Sequence, residues 1–260
     1  MLAALLILAA ASYSPAPVPV STSVPSMHAQ AAMRAIVERF HRGLAALESK
    51  QWSAAADEFH AVLKLDPPEP QGSTAAYDAG IAQANLKQDD GAAADFRVAL
   101  ARDSRFLAAM SNLIAVDLRR GDVTEARSVA NRFVSLAPDS ARAHYSRGIA
   151  ALAANDLTTA RDDFSQLLKM DARYAVAHYD LGIVEIRLGS YAAAQTEFES
   201  ALQLAPAYAR ARFALGTVLL HDGDRLGARA AFDRAANDAS DDPSLRSLAI
   251  EMRNAIQSAR

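Results

Sequence analysis

A glycine, an alanine and a phenylalanine recur along this chain at a fixed distance of 34 residues. In each copy the glycine precedes the alanine by twelve residues and the phenylalanine by sixteen. Self-similarity at a period of about 20 to 50 residues indicates a repeat architecture built from one supersecondary unit. The three series are Gly148, Gly182 and Gly216; Ala160, Ala194 and Ala228; and Phe164, Phe198 and Phe232.

The same three marks continue upstream with a spacing of 37 residues. The three additional residues fall near the segment PPEPQGS, a loop rich in proline and glycine that can absorb an insertion. The repeat therefore extends over most of the chain. The upstream pairs are Gly43 and Gly80, Ala55 and Ala92, and Phe59 and Phe96.

Each unit contains two helices. In the unit spanning 175–208, apolar residues at helical spacing predict a first helix, helix A, over about 175–188. Gly189 and Ser190 break it, and helix B follows over about 191–204, before Pro206. The pattern therefore predicts antiparallel helix pairs with short connections.

The recurring residues explain how the two helices pack. Gly182 and Ala194 are small, which allows the helices to cross at close range. Phe198 lies one turn beyond Ala194 on the same face of helix B. We expect it to fill the wedge between its own unit and the next one.

A 34-residue helix–turn–helix unit with two small residues, glycine and alanine, and an aromatic residue at fixed positions resembles the tetratricopeptide repeat. The third copy departs from the pattern, because Ile114 replaces the glycine and Ala130 the phenylalanine. Phe133, about one turn later, is expected to compensate, so we expect altered packing there. The six units span about 36–69, 73–106, 107–140, 141–174, 175–208 and 209–242.

The resemblance implies an all-α fold, an α-solenoid in which antiparallel helix pairs stack into a right-handed superhelix. It places this repeat domain over 33–260. A final amphipathic segment over 243–258 is expected to cap the apolar end of the stack, as open stacks require.

In this family helix A lines a concave groove. Side chains at two levels, one helical turn apart along each A helix, would face a ligand. They give an aromatic and aliphatic floor with few polar groups, suited to a peptide held by apolar anchors. The other interpretation is that the aromatic residues pack between neighbouring A helices. The predicted groove consists of Phe40, Tyr77, Asp78, Ile81, Asn112, Tyr145, Ile149, Tyr179, Asp180, Ile183 and Phe213.

Asn112, Asp78 and Asp180 are expected to hydrogen-bond the backbone of the bound segment. A two-carboxylate clamp for chaperone tails would need lysine and asparagine at these levels of the first units. Phe40, Leu44, Tyr77 and Ile81 stand there instead, so a chaperone tail is not expected.

Composition and motifs favour a non-catalytic protein. The chain has no cysteine and a net charge of −3, so it offers no thiolate chemistry and no basic field for nucleic acid. His144 and His178 occupy equivalent sites about a helix diameter apart, too far for one metal. Asp117 and Glu185 fall where a bulky residue is expected, either as rim carboxylates paired with arginine or as a polar pocket. We predict no catalytic residue, cofactor or metal site.

The first 26 residues differ from the rest. Residues 2–11 form an apolar run of the length of a signal-peptide core, although no lysine or arginine precedes it. A proline-rich stretch over 12–26 reads as a linker. These features predict export of a bacterial protein to the periplasm or cell envelope, with membrane contact at most through this segment if it stays uncleaved. The alternative is an N-terminal helix of a cytoplasmic protein.

The pattern predicts a scaffold that binds a peptide or protein segment in the concave groove. Two alternatives belong to other classes. One is an accessory subunit of an envelope enzyme or assembly complex, which would need a convergent set of titratable groups. The other is a structural module that self-assembles through an exposed end of the stack.

Overall fold

The computed structural model describes residues 26–258, and every regular element in that range is an α-helix. The predicted signal-like segment therefore lies outside the described residues, except for Ser26. The helices are α1 Met27–Glu48, α2 Trp52–Leu63, α3 Gln71–Asn85, α4 Asp89–Arg102, α5 Leu107–Arg120, α6 Val123–Leu136, α7 Ala141–Ala153, α8 Leu157–Met170, α9 Ala175–Arg187, α10 Tyr191–Leu204, α11 Ala209–His221, α12 Arg225–Asp238 and α13 Pro243–Ser258.

The helices form two compact bodies, one ending at Leu136 and the other beginning at Ala137. These two bodies are called the first and the second unit, and each repeat is called a helix pair. The first contains α1 to α6, and the second contains α7 to α13. Within each unit every helix packs against the helix before it and the helix after it. The odd-numbered helices α1 to α11 are the A helices of six pairs, and the predicted all-α fold of stacked helix pairs is confirmed.

The first helix is longer than the repeat pattern predicts. It begins at Met27, nine residues before Ile36, and runs for 22 residues. The Ser26 hydroxyl accepts a hydrogen bond from the Ala29 backbone N–H at 3.2 Å and caps the helix. Pro25 is the last proline before this cap. The helix therefore starts where the proline-rich stretch ends.

The turn from helix A to helix B repeats in conformation as well as in sequence position. Gly121, Gly189 and Gly223 have φ angles of 82°, 78° and 85°. Lys87 and Asn155 hold the same place in their pairs, with φ angles of 63° and 60°. A left-handed residue is a common way to end a helix, because it directs backbone N–H groups to the last free carbonyls. The predicted break at Gly189 is thus one instance of a general rule for this chain.

Each helix-A glycine provides room for the phenylalanine of its own pair. A Cβ atom on Gly182 would lie 2.6 Å from Cε1 of Phe198, and one on Gly148 would lie 2.6 Å from Cε1 of Phe164. The glycine is therefore required by the aromatic ring and not only by the approach of two backbones. Phe198 also clusters with Ala214 of α11, so it fills the space between neighbouring pairs, as the sequence pattern predicts.

The third pair replaces this contact with a different one. Ile114 is buried where the other pairs have glycine, and Ala130 is buried where they have phenylalanine. Phe133 is buried one turn further along the same helix. At this contact the large residue lies on helix A and the small residue on helix B, the reverse of the other pairs. This is the altered packing expected from the sequence.

The last helix covers the end of the second unit. Ala249 of α13 packs with Ala235 and Ala236 of α12, and Phe213 lies against this cluster. Arg253 forms an ion pair with Asp233 at 2.7 Å. Among the helices in the described range, none has both the length and the apolar character that crossing a bilayer requires.

Candidate functional site

In the first unit, the aromatic residues of the predicted groove lie against the repeat phenylalanines. The Phe40 ring is 5.5 Å from the Phe59 ring, centroid to centroid. The Tyr77 ring lies 5.9 Å from Phe96 and 4.8 Å from Phe106. Phe40 and Tyr77 remain half-buried, so each packs through one face and keeps another accessible.

In the second unit, the equivalent rings repeat this arrangement. Tyr145 lies 5.5 Å from Tyr174, and Tyr179 lies 5.2 Å from Tyr208. Tyr145 retains only 5% of its surface, so its ring belongs to the packing between helix pairs. Tyr179 and Phe213 keep an accessible face.

Tyr174 and Tyr208 complete these aromatic pairs and were missed by the sequence analysis. Each immediately precedes an A helix, and the two are 34 residues apart. Phe106 and Ser140 occupy the same place before α5 and α7. The period was a sufficient signal, but only positions inside helix A were followed.

Two hydrogen bonds connect successive A helices at the level of the predicted groove. The Tyr145 hydroxyl of α7 donates to Oδ2 of Asp180 on α9 at 2.9 Å. Nδ2 of Asn112 on α5 donates to the Tyr77 hydroxyl oxygen on α3 at 3.3 Å. Both pairs are 35 residues apart, so this is one recurring contact. Asn112 and Asp180, expected to bond a ligand backbone, thus also fix neighbouring helices to each other.

Two carboxyl groups of the predicted groove are buried. Asp78 is 8% exposed and Asp180 is 9% exposed. Burial raises the pKa of Asp78 to about 7, and burial also raises the pKa of Asp180 to about 7 against the opposing hydrogen bond from Tyr145. Both groups therefore change charge near neutral pH.

The remaining members of the predicted groove are aliphatic. Ile81 on α3, Ile149 on α7 and Ile183 on α9 lie one turn beyond the aromatic level. All three are half-buried. Ile81 on α3 and Ile183 on α9 thus lie next to the partly accessible rings of Tyr77 and Tyr179.

The two equivalent histidines, His144 and His178, form polar contacts. Nε2 of His144 donates to the Pro138 carbonyl oxygen at 2.8 Å, and Nδ1 lies 2.7 Å from Asp163 Oδ1. In the next pair, Nδ1 of His178 lies 2.6 Å from Glu197 Oε2. Each histidine connects its A helix to the B helix of the same pair. Among residues 26–258, no three histidine, aspartate or glutamate side chains converge as metal ligands.

Asp117 is paired with arginine, which was one of the two interpretations from the sequence. Arg97 Nη2 lies 2.8 Å from Asp117 Oδ1, and Arg120 Nη1 lies 3.0 Å from the same atom. The carboxyl group is fully buried instead of lying at a rim. Burial raises the pKa of Asp117, while the two arginines act in the opposite direction. Glu185, its equivalent in the second unit, is also buried.

A sequence model described as tetratricopeptide repeat matches residues 40–105, 116–175 and 179–243. No curated protein matches the chain. A tetratricopeptide repeat protein from Parabacteroides merdae is similar in structure, with a TM-score of 0.69 and 15% identity over 86% of this chain and 100% of that chain.

Two further solved structures share the fold. MamA has a TM-score of 0.57 and 24% identity, covering 65% of this chain and 92% of that chain. YrrB, described as a TPR protein with an unusual peptide-binding site, has a TM-score of 0.56 and 17% identity, covering 76% of this chain and 100% of that chain. At these identities, the likeness concerns the fold.

Proposed function

This chain belongs to the tetratricopeptide repeat family, and from that premise we propose that it is a non-catalytic scaffold that binds a peptide or protein segment along its A helices. One observation carries the proposal. The A helices α1 and α3 of the first unit and α9 of the second present partly accessible aromatic and aliphatic side chains at the same two levels. Tyr179 and Ile183 of α9 show the arrangement in the second unit.

The surface is preorganised. The A helices are fixed by the contacts between glycine and phenylalanine and by the bonds from Tyr145 to Asp180 and from Asn112 to Tyr77. A receptor that is already ordered loses little conformational entropy on binding. The apolar side chains then supply the desolvation free energy that anchors the segment. The peptide-binding site described for YrrB is a precedent on the same fold.

The environment of Asp117 supports a binding role over a catalytic one. A polar pocket at Asp117 or Glu185 would be the starting point for acid–base chemistry. Asp117 forms ion pairs with Arg97 and Arg120 and is shielded from solvent. A carboxylate held in this way acts in the packing of its helices.

We expect the double substitution Ile149→Asp and Ile183→Asp to reduce partner recovery at least tenfold in a cross-linking pull-down from the native host. Both side chains are half-buried on A helices, and a charge there opposes an apolar anchor. A tenfold loss corresponds to about 1.4 kcal/mol. Circular dichroism checks that the variant remains helical.

Leu226→Asp is the matched control. It introduces one aspartate on helix B of the last pair, where the side chain is 80% exposed. Partner recovery should stay at the wild-type level. Equal recovery by the groove variant and the wild type would contradict the proposed binding surface.

We also propose that the protein is exported to the periplasm or cell envelope of a bacterium. The support is the apolar run over 2–11, which ends in Ala9, Ala10 and Ala11, small residues that suit a signal-peptidase site. N-terminal sequencing of the mature protein should then find a start beyond residue 11. An unprocessed Met1 would favour the cytoplasmic alternative.

A further inference from the structure

Asp78 is a buried carboxyl group without a partner of its own. It lies on α3 with 8% of its surface exposed. Among residues 26–258, no side chain or backbone group forms a hydrogen bond or an ion pair with its carboxylate. The small exposed fraction keeps the residue in contact with solvent.

The equivalent positions of other pairs show what is missing at Asp78. Asp180 accepts a hydrogen bond from the Tyr145 hydroxyl of the preceding A helix. Asn112 donates to the Tyr77 hydroxyl oxygen in the same way. Phe40 occupies the position from which a tyrosine hydroxyl would bond to Asp78, and phenylalanine has no hydroxyl group. The contact that Asn112 and Asp180 make with the preceding A helix is therefore absent at Asp78, and the carboxylate is left unpaired.

An unpaired buried carboxylate costs stability, because the charged form loses its hydration without a compensating contact. The raised pKa of Asp78, about 7, reflects that cost. A neutral residue would avoid it, as Asn112 does at the equivalent position of the next pair. The packing of α3 therefore gives no account of a carboxylate here, whereas a ligand that supplies a positive charge does.

The neighbouring side chains suit the same ligand. Phe40 and Tyr77 present partly accessible aromatic rings at the level of Asp78 on α1 and α3. Leu44, one turn beyond Phe40, is 37% exposed. Aromatic faces attract cations, and the aliphatic stem of a lysine or arginine packs on apolar surface.

We propose that Asp78 anchors a basic side chain, lysine or arginine, of the protein segment bound along the A helices of the first unit. The inference rests on the proposed binding function and specifies the chemistry of the partner. The ammonium or guanidinium group would supply the hydrogen-bond donor and the charge that Phe40 does not provide.

The test uses the full-length protein and a synthetic array of twelve-residue peptides. A fixed central position carries lysine, arginine, norleucine or glutamate, and the other positions carry varied uncharged residues. Norleucine has the length of the lysine stem without its charge. The best lysine or arginine peptide and its norleucine version are then compared by fluorescence anisotropy. We expect wild-type protein to bind the basic peptide at least tenfold more tightly than the norleucine peptide.

Asp78→Asn should abolish that preference while the protein stays folded, since the change removes a buried charge. Asp57→Asn, the same change at an exposed site on α2, should leave the preference intact. A wild type that binds the norleucine or glutamate peptide equally well, or a preference that survives Asp78→Asn, would overturn the inference but leave the scaffold function standing. Failure of the wild type to retain any peptide would count against both.

Discussion

Replacement of Phe198 by alanine is expected to lower the unfolding free energy by about 3–5 kcal/mol, the usual cost of removing a fully buried phenylalanine. The ring is completely buried. It lies on Gly182 of its own pair and clusters with Ala214 and Val218 of the next A helix. Its loss would therefore open a cavity between two pairs at once. Urea unfolding followed by circular dichroism measures the change.

A matched control separates this contact from the removal of any large apolar side chain. Leu226 is 80% exposed, so Leu226→Ala should change the unfolding free energy by less than about 0.5 kcal/mol. A loss below about 1 kcal/mol for Phe198→Ala would mean that the ring does not hold the pairs together.

The stability of the protein is expected to fall as pH rises from about 5 to 8. Burial raises the pKa of both Asp78 and Asp180 to about 7, from an ordinary value of 3.8. The folded state therefore holds more protons than the unfolded state between these pKa values, and the unfolding free energy decreases with pH. The stabilisation is complete below about pH 4 and is lost as pH passes about 7. Each pKa unit corresponds to about 1.4 kcal/mol, so the shift from 3.8 to about 7 contributes on the order of 4 kcal/mol for each aspartate.

Urea unfolding at pH 5 and pH 8 tests the direction of this effect. Asp180→Asn keeps an acceptor for the Tyr145 hydroxyl but carries no charge, so it should stabilise the protein at pH 8 and reduce the pH dependence. The window above pH 5 avoids most of the opposing effect of Glu58 and Asp89, whose pKa values are lowered by arginine partners. Stability that rises from pH 5 to pH 8 would contradict the buried state of the two aspartates.

The helix pairs could be predicted from the sequence because the residues that define them are local and recur at a fixed period. Gly182, Ala194 and Phe198 recur at fixed spacing, and the spacing alone places them on facing helices. The departure of the third pair was likewise visible, because Ile114 and Ala130 break two series at once.

The candidate site was less predictable because its contacts depend on neighbouring pairs. Tyr145 packs against Tyr174, which lies outside the helix on which Tyr145 was recognised. The unpaired state of Asp78 depends on a hydroxyl group that Phe40 lacks in the preceding pair. Such relations become apparent only when the distances between successive helices are known.

The fit of each glycine under its own phenylalanine has a consequence for how such arrays diverge. Neither residue tolerates replacement alone, since a side chain on Gly148 would collide with Phe164 and a smaller residue at Phe164 would leave a void. Ile114 and Ala130 differ from the other pairs together, as this coupling requires. When one copy of the repeat comes to differ from the others, in evolution or in design, the glycine and the phenylalanine of that pair are therefore expected to change together and not one at a time.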